Sequence, residues 1–125
     1  MVKKILLDTN FLLIPAQFNI DIFSEIDKIM LEKYQLYTLD KVIYELKSIQ
    51  KNKKQSQKNR NAAKLALQLI KAKKLNIIKT KEDKPVDDLI VDLKGYIIAT
   101  QDIGLKKRLK AKILTLRAKK KLIIS

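Results

Sequence analysis

Short apolar runs and longer segments with a helical apolar period alternate along this chain of 125 residues. A short apolar run is typical of a buried strand, whereas apolar positions three and four residues apart indicate a helix with one buried face. The runs predict six short strands, at residues 4–7, 35–38, 76–79, 96–100, 113–116 and 122–124. The runs ILL and YIIA are apolar throughout, as is typical of strands covered on both faces.

The periodic segments predict five helices, at residues 22–32, 41–49, 62–75, 86–93 and from 102 to about 110. Asp21 and Asp40 are predicted to cap the first two of these, and Pro85 suits a first helical turn. Residues 11–16 are predicted as a short helical turn that ends near Pro15, and the apolar-free stretch 51–61 as a loop or a solvated helix end. Alternating strands and helices predict a single layered α/β domain over residues 1–125, with a mainly parallel sheet.

The amino-acid composition excludes several kinds of chemistry. The chain has no cysteine and no histidine, so it has no disulfide, no thiolate metal site and no histidine general base. Any chemistry must use carboxylates, lysines, hydroxyls or a metal held by oxygen. The first apolar run is interrupted by Asp8, which argues against a signal peptide, and no run approaches the roughly 18 residues of a membrane span. We expect a cytoplasmic protein with no membrane contact.

The net charge of +15 is unevenly distributed along the chain. Residues 51–81 hold eleven basic and no acidic side chains, and residues 103–125 hold nine basic and none acidic. A general lysine bias would explain the number of lysines but not these long stretches without any acid. The distribution therefore predicts a polyanionic partner.

Acidic side chains occupy the positions where an α/β sheet binds its ligands. Asp8 directly follows the first predicted strand, and Asp102 follows the YIIAT strand by one residue. Ligands bind beyond the carboxyl ends of such strands, and neighbouring parallel strands would bring these two carboxylates together. Glu45 interrupts the apolar helical pattern VIYELKSI, and Asp87 and Asp88 interrupt PVDDLIVDL.

These acids favour a metal site, although each also has a structural explanation. Asp8 and Asp102 could cap a turn or a helix. Asp87 or Asp88 could stabilise a helix N-terminus, and Glu45 could be an exposed helix residue. Clustered carboxylates need a positive charge among them, because like charges repel and burial adds to the cost. Without histidine, ligation by oxygen alone favours one or two Mg²⁺ or Mn²⁺ ions, which suit phosphodiester cleavage.

Four stretches, taken in order, resemble the PIN-domain nucleases over nearly the whole chain: LLDTNFLL, VIYELKSI, PVDDLIVDL and YIIATQDIGLKKRL. The resemblance implies a three-layer α/β/α fold that binds Mg²⁺ or Mn²⁺ through three or four acids and cuts RNA. It implies that the catalytic, metal-binding residues are Asp8, Glu45, Asp87 and Asp102. It also implies supporting roles for Asn10 and Thr100, with Asp88 as an alternative or auxiliary ligand.

Within that family, the resemblance is strongest to the Fcf-like PIN proteins of small-subunit ribosomal RNA processing, including short archaeal relatives. It implies an endoribonuclease in rRNA processing or ribosome biogenesis, with an rRNA precursor as substrate. A protein partner or a homodimer is a further possibility that the sequence leaves open. The predicted RNA-binding residues lie in two lysine-rich segments, 51–60 and 106–121: Lys53, Lys54, Lys58, Arg60, Lys106, Lys107 and Arg108. Two alternatives remain open, namely a non-catalytic RNA-binding assembly factor and a VapC-type toxin ribonuclease.

Overall fold

A six-stranded sheet forms the centre of the molecule in the computed structural model, which describes residues 2–118 and 120–125. The strands are β1 (Lys3–Leu7), β2 (Tyr34–Leu39), β3 (Asn76–Ile78), β4 (Ile97–Ala99), β5 (Ile113–Arg117) and β6 (Lys121–Ile124). Their order in the sheet is β3-β2-β1-β4-β5-β6, and every neighbouring pair is parallel except β5 and β6. The prediction of a mainly parallel sheet is confirmed.

Helices flank this sheet: α1 (Thr9–Leu12), α2 (Ile14–Phe18), α3 (Ile22–Ile29), α4 (Asp40–Lys51), α5 (Gln57–Ala72), α6 (Val86–Asp92) and α7 (Ile103–Arg108). Strands β2 and then β3 are added on one side of β1, and strands β4 and then β5 are added on the other side. Because parallel crossovers are right-handed, α4 and α5 cover one face while α6 and α7 cover the opposite face. Contacts within each pair agree with this arrangement, which confirms the predicted layered α/β fold.

The apolar runs of the sequence form the core. Residues Ile5, Leu6 and Leu7 of β1 are fully buried, as are Ile98 and Ala99 of β4. Strands in the middle of a parallel sheet are covered by helices on both faces, which is why these runs do not alternate with polar residues. Among the residues that the structure describes, no helix has the length and apolar character needed to cross a membrane.

The direction in which successive strands are added to the sheet reverses, and the reversal lies between the neighbouring strands β1 and β4. The first half of the chain builds the sheet from β1 toward β3, and α6 then brings the chain back to β4 on the other side of β1. Leu7 pairs with Ala99, so β1 and β4 end at the same level. A crevice opens at such a reversal, at the carboxyl ends of the two strands.

Three predicted starts or ends of helices are wrong, each for a local reason. Helix α5 begins at Gln57 rather than at Ala62, because Ser56 Oγ accepts a hydrogen bond from Asn59 N at 3.1 Å and so caps the helix. Pro15 lies in the first turn of α2 instead of ending a helix, since a first-turn proline loses no helical hydrogen bond. Asp40 lies inside α4, whose N-cap is Leu39.

Smaller differences concern the ends of helices. Helix α3 ends at Ile29 instead of residue 32, and α7 ends at Arg108 instead of about residue 110. Pro85 precedes α6 as its N-cap and does not lie in its first turn. The cap predicted at Asp21 is confirmed, because its Oδ1 accepts hydrogen bonds from Phe23 N and Ser24 N.

Candidate active site

Asp8 lies at the junction of β1 and α1 and is only 4% exposed. Its backbone N–H donates to Ala99 O at 3.0 Å, which extends the pairing of β1 with β4 by one residue. Its Oδ1 accepts a hydrogen bond from Thr9 N at 2.8 Å, and its Oδ2 accepts one from Thr100 Oγ1 at 2.9 Å. Asp8 therefore does cap a helix, but it does so from a buried position at the carboxyl edge of the sheet.

Burial raises the pKa of the Asp8 carboxyl from 3.8 to about 6. This value includes the hydrogen bonds from Thr100 and Thr9, which lower the pKa, and the smaller effect of the negative charges of Asp87 and Glu45, which raise it. Desolvation and nearby like charges both disfavour the ionised form of a carboxyl group. The ionised form of Asp8 is therefore disfavoured mainly by burial and to a smaller extent by the neighbouring acids.

Thr100 and Asn10 link the ends of β1 and β4. The Thr100 hydroxyl donates to Asp8 and accepts a hydrogen bond from Asp102 N at 3.1 Å. Asn10 Oδ1 accepts a hydrogen bond from Gln101 N at 3.0 Å and lies 3.4 Å from Thr100 Oγ1. These buried and part-buried contacts set the position of Asp102 relative to Asp8.

Asp102 is the N-cap of α7, as one of the alternatives for this residue predicted. Its Oδ1 accepts a hydrogen bond from Leu105 N at 3.2 Å, so the cap leaves the other carboxylate oxygen available. A Cβ atom at Gly104 would lie 3.2 Å from that same Oδ1, a tight contact that glycine avoids. The capping role and a place in a metal site are therefore compatible for Asp102.

Glu45 and Asp87 reach the same cavity from opposite helical layers. Glu45 projects from α4, and its Oε2 accepts a hydrogen bond from Thr9 Oγ1 at 2.9 Å. Asp87 lies in the first turn of α6, where burial raises its pKa. The charge of Asp102 raises that pKa further, and the charge of Arg108 lowers it. Thr9, which holds Glu45, was not among the predicted site residues, although it lies within the DTN stretch beside Asp8.

A single open cavity of about 240 Å³ contains all four predicted acids. Its lining residues are Asp8, Thr9, Asn10, Leu13, Glu45, Val86, Asp87 and Asp102. Asp88 is not among them, because its Oδ1 accepts a hydrogen bond from Arg108 Nη2 at 2.7 Å. Within residues 2–118 and 120–125, no three acidic side chains converge tightly enough to hold one ion between them. The geometry thus favours Asp87 over Asp88 and leaves room between the carboxylates.

The predicted RNA-binding residues differ in whether their side chains already bond to other residues of the protein. Lys53, Lys54, Lys58 and Lys107 are exposed, and the described part of the chain gives none of them a salt bridge. Arg60 Nε donates instead to Gln50 O at 3.0 Å, which ties the start of α5 to the end of α4.

The second lysine-rich segment is more heavily engaged. Lys106 Nζ donates to Thr115 Oγ1 at 2.6 Å, and Arg108 is paired with Asp88. Lys119, which also belongs to this predicted segment, lies outside the described residues. Fewer of its side chains are therefore available to phosphate than the sequence indicates.

Lys41 is a further residue that the sequence analysis missed. Its Nζ donates to Glu82 O at 2.7 Å and Lys84 O at 3.2 Å, and it lies 3.4 Å from Asp83 Oδ1. Lys41 thus ties α4 to the segment that leads into α6. The helices that carry Glu45 and Asp87 are connected in this way, and no local sequence signal distinguishes this lysine from the others.

The neighbouring Asp40 reinforces the same connection. Its carboxylate accepts hydrogen bonds from Thr80 Oγ1 at 2.7 Å and Thr80 N at 3.2 Å. Asp40 therefore anchors the end of the β3 region to the first turn of α4, instead of capping that helix.

Comparison with known proteins agrees with this fold. A solved chain described as the PIN domain endonuclease Utp24 superposes with a TM-score of 0.76 at 24% identity, covering 98% of this chain and 90% of that one. A domain of a functionally unknown protein from Methanocaldococcus jannaschii superposes with a TM-score of 0.51 at 16% identity, covering 94% and 93%. At these low identities, the two superpositions show a shared fold. No curated protein matches the sequence. The family model for the PIN-like domain matches residues 5–119, and this chain therefore belongs to the PIN-like domain family.

Proposed function

We propose that this protein is a divalent-metal-dependent endoribonuclease. The observation that carries the proposal is the cavity at the carboxyl edge, where four acids from two strand ends and both helical layers face one another. Carboxylates that share a cavity repel one another, and the burial of Asp8 adds to the cost unless a cation joins them. Perturbed carboxyl pKa values are typical of functional sites. The similarity in fold to a chain described as a PIN domain endonuclease supports the same reaction class.

The residues that would hold the metal are Asp8, Glu45, Asp87 and Asp102. Because all the donors are oxygen atoms, they suit Mg²⁺ or Mn²⁺. Mg²⁺ retains several of its waters and is bound directly by only one or two carboxylates, which agrees with the open spacing of these side chains. A bound ion of this kind supplies an activated water and stabilises the charge that develops on the phosphate oxygens.

The surrounding hydrogen bonds would orient these carboxylates before any ion binds. Thr100 and Thr9 fix the two oxygens of Asp8, and the Thr9 hydroxyl also holds Glu45. Asp102 is fixed by its capping bond to the backbone of α7. Side chains held in this way place a phosphodiester and its attacking water with little loss of conformational freedom.

RNA as the substrate is supported by the electrostatics of the chain. The net charge is +15, and the 51–60 segment holds exposed lysines that form no salt bridge with any described residue. Contacts of lysine with phosphate position a nucleic acid without reading its sequence. We propose an rRNA precursor as the natural substrate on the basis of the sequence resemblance to the Fcf-like branch, and a product with a 3′-hydroxyl and a 5′-phosphate.

A circular single-stranded RNA provides a direct test, because it has no ends and only an endonuclease can open it. We expect the protein to linearise it with Mn²⁺ or Mg²⁺ and to leave it intact with EDTA. Binding without cleavage in any metal would contradict the proposal and favour the non-catalytic RNA-binding factor. Cleavage that persists in EDTA would contradict the metal requirement.

A further inference from the structure

A second, smaller cavity adjoins the acidic one. Its volume is about 120 Å³, and its lining residues are Leu13, Gln17, Ile49, Gln55, Asn59 and Ala62. Leu13 also lines the acidic cavity, so the two cavities share a wall. A molecule that reaches the acids can therefore extend past Leu13 into the space between α2 and the start of α5.

The walls of this second cavity combine apolar surface with amide groups. Asn59 Nδ2 donates to Gln55 Oε1 at 3.1 Å, which uses one donor and one acceptor of the pair. In the described part of the chain, the Gln55 amide nitrogen, the Asn59 oxygen and the whole Gln17 amide make no further side-chain hydrogen bond. Apolar walls with unused amide donors and acceptors suit a flat ring that has polar groups on its edge.

The turn that precedes α5 is ordered and basic, and it borders this cavity. Asn52 Oδ1 accepts a hydrogen bond from Lys54 N at 2.9 Å, and Gln55 N donates to Asn52 O at 3.0 Å. The Ser56 cap then starts the helix. Lys53 and Lys54 are exposed on this turn, and neither makes a salt bridge among the described residues. A phosphate beside the cavity would therefore find lysines that are not already neutralised.

These observations make the side of α4 and α5 the favoured path for a nucleic-acid strand. The basic residues of α7 are partly engaged, because Arg108 binds Asp88 and Lys106 binds Thr115. Within the part of the chain that the structure describes, the side chains of Lys53, Lys54 and Lys58 have no such partners. The acidic cavity, the amide cavity and the basic turn follow one another in that order.

We propose that the amide cavity binds the base of the nucleotide next to the scissile phosphate of single-stranded RNA, while Lys53 and Lys54 contact a neighbouring phosphate. This proposal rests on the ribonuclease function proposed above. The RNA is single-stranded because a cavity of this size accepts one splayed-out base, whose hydrogen-bonding edge would be occupied by its partner in a duplex. The amides of Gln17, Gln55 and Asn59 would select among bases.

The test compares cleavage of four short RNAs that differ only in the base beside the cut. The wild type should prefer one base at that position by kcat/KM. Gln17→Leu and Asn59→Leu remove amide groups from exposed positions and should weaken the preference by roughly tenfold for each lost hydrogen bond. Gln68→Leu is the matched control and should keep the preference. Gln68 is an exposed amide on α5, the helix that also carries Asn59, and it lines neither cavity.

A binding measurement separates this proposal from the proposed nuclease function. Affinities of the same RNAs for the wild type and the variants are measured in EDTA by fluorescence anisotropy, so that no cleavage is required. Base-dependent affinity that is lost in Gln17→Leu and Asn59→Leu would support the cavity even if no RNA were cut. An unchanged base preference in both variants, or an equal loss of affinity for all four bases, would overturn the proposal whether or not the wild type cuts RNA.

Discussion

Both edges of the sheet hold an open cavity, but the acids at the two edges are arranged differently. The cavity at the amino edge, where β2 and β3 begin, measures about 770 Å³, against about 240 Å³ for the acidic cavity at the carboxyl edge. The larger cavity also contains acids, and each has a partner. Asp27 Oδ1 accepts a hydrogen bond from Tyr34 Oη at 3.0 Å, and Glu32 Oε1 lies 4.0 Å from Lys3 Nζ.

The two edges differ in the surroundings of their acids as well as in cavity volume. At the amino edge the acids are exposed and lie among lysines: Lys33, Lys73 and Lys74. At the carboxyl edge Asp8 is buried, and this burial, with a smaller effect of the neighbouring carboxylates, raises its pKa to about 6. A parallel sheet collects the ends of its strands at one edge, which is why the acids that follow β1 and β4 meet there.

The largest expected effect comes from removing one charge at the carboxyl edge. Asp8→Asn keeps the cap of α1, because asparagine is as good an N-cap as aspartate. It removes a negative charge that the proposed metal site needs. We expect RNA cleavage with Mn²⁺ to fall by on the order of a hundredfold or more, since metal stabilisation of a phosphoryl transition state is worth several kcal/mol.

The matched control for this prediction lies at the other edge. Asp27→Asn makes the same change of net charge and keeps the oxygen that accepts the Tyr34 hydrogen bond. Its cleavage rate should stay within a small factor of the wild-type rate. Comparable losses in both variants would mean that overall charge matters more than the acidic cavity, and the contrast between the edges would fail.

The next effect concerns the stability of the metal-free protein. Because the folded-state pKa of Asp8 is raised from 3.8 to about 6, folding loses stability as pH rises between these values, and the full loss is present above pH 6. This loss is up to about 3 kcal/mol at roughly 1.4 kcal/mol per pKa unit. Asp8→Asn lacks this loss, so in EDTA the variant should melt higher than the wild type at pH 7 and lose that advantage near pH 4. Its amide nitrogen cannot accept the Thr100 hydrogen bond, which offsets part of the gain.

Calorimetric melting of both proteins in EDTA from pH 4 to pH 7 measures this difference. Asp27→Asn serves again as the control, and its difference from the wild type should vary much less with pH. A wild type that is as stable as Asp8→Asn at pH 7 would show that the folded protein already neutralises the charge at the carboxyl edge.

A smaller effect is expected from the hydroxyl that joins Asp8 to Asp102. Thr100→Val keeps the shape of the buried side chain and removes both of these hydrogen bonds. Loss of a group that orients metal ligands typically costs 10–100-fold in metal affinity, and we expect a loss of about that size for Mn²⁺. Thr100→Ser restores the hydroxyl and should recover most of the Mn²⁺ affinity. Isothermal titration calorimetry of Mn²⁺ into each protein measures these affinities. Equal Mn²⁺ affinity in wild type and Thr100→Val would contradict this orienting role.

The smallest effect should separate the adjacent acids Asp87 and Asp88. Asp88→Asn breaks an exposed ion pair with Arg108, which is worth about 0–1 kcal/mol, so cleavage should change by less than about fivefold. Asp87→Asn changes a residue that lines the acidic cavity and should reduce cleavage far more. A larger loss in Asp88→Asn than in Asp87→Asn would assign the ligand role to Asp88 instead of Asp87.

The apolar pattern by itself determined the sheet and the edge at which the candidate site lies. Runs such as ILL and YIIA are long enough for strands and apolar on both faces, which, with the alternation of strands and helices, favours the middle of a parallel sheet. Acids that follow such strands must then lie at its carboxyl edge. This reasoning requires only the order of residues, which is why Asp8 and Asp102 could be placed together before their coordinates were known.

Tertiary structure alone decided which side chains support those acids and which basic residues stay available. Thr9 meets Glu45 across 36 positions of sequence, and Lys41 reaches the carbonyls of Glu82 and Lys84 from another helix. The sequence pattern could not show which of Asp87 and Asp88 faces the cavity, because this depends on the ion pair that Asp88 forms with Arg108 of α7. Hydrogen bonds and ion pairs join groups distant in the chain at distances near 3 Å, and a local sequence pattern carries no information at that precision.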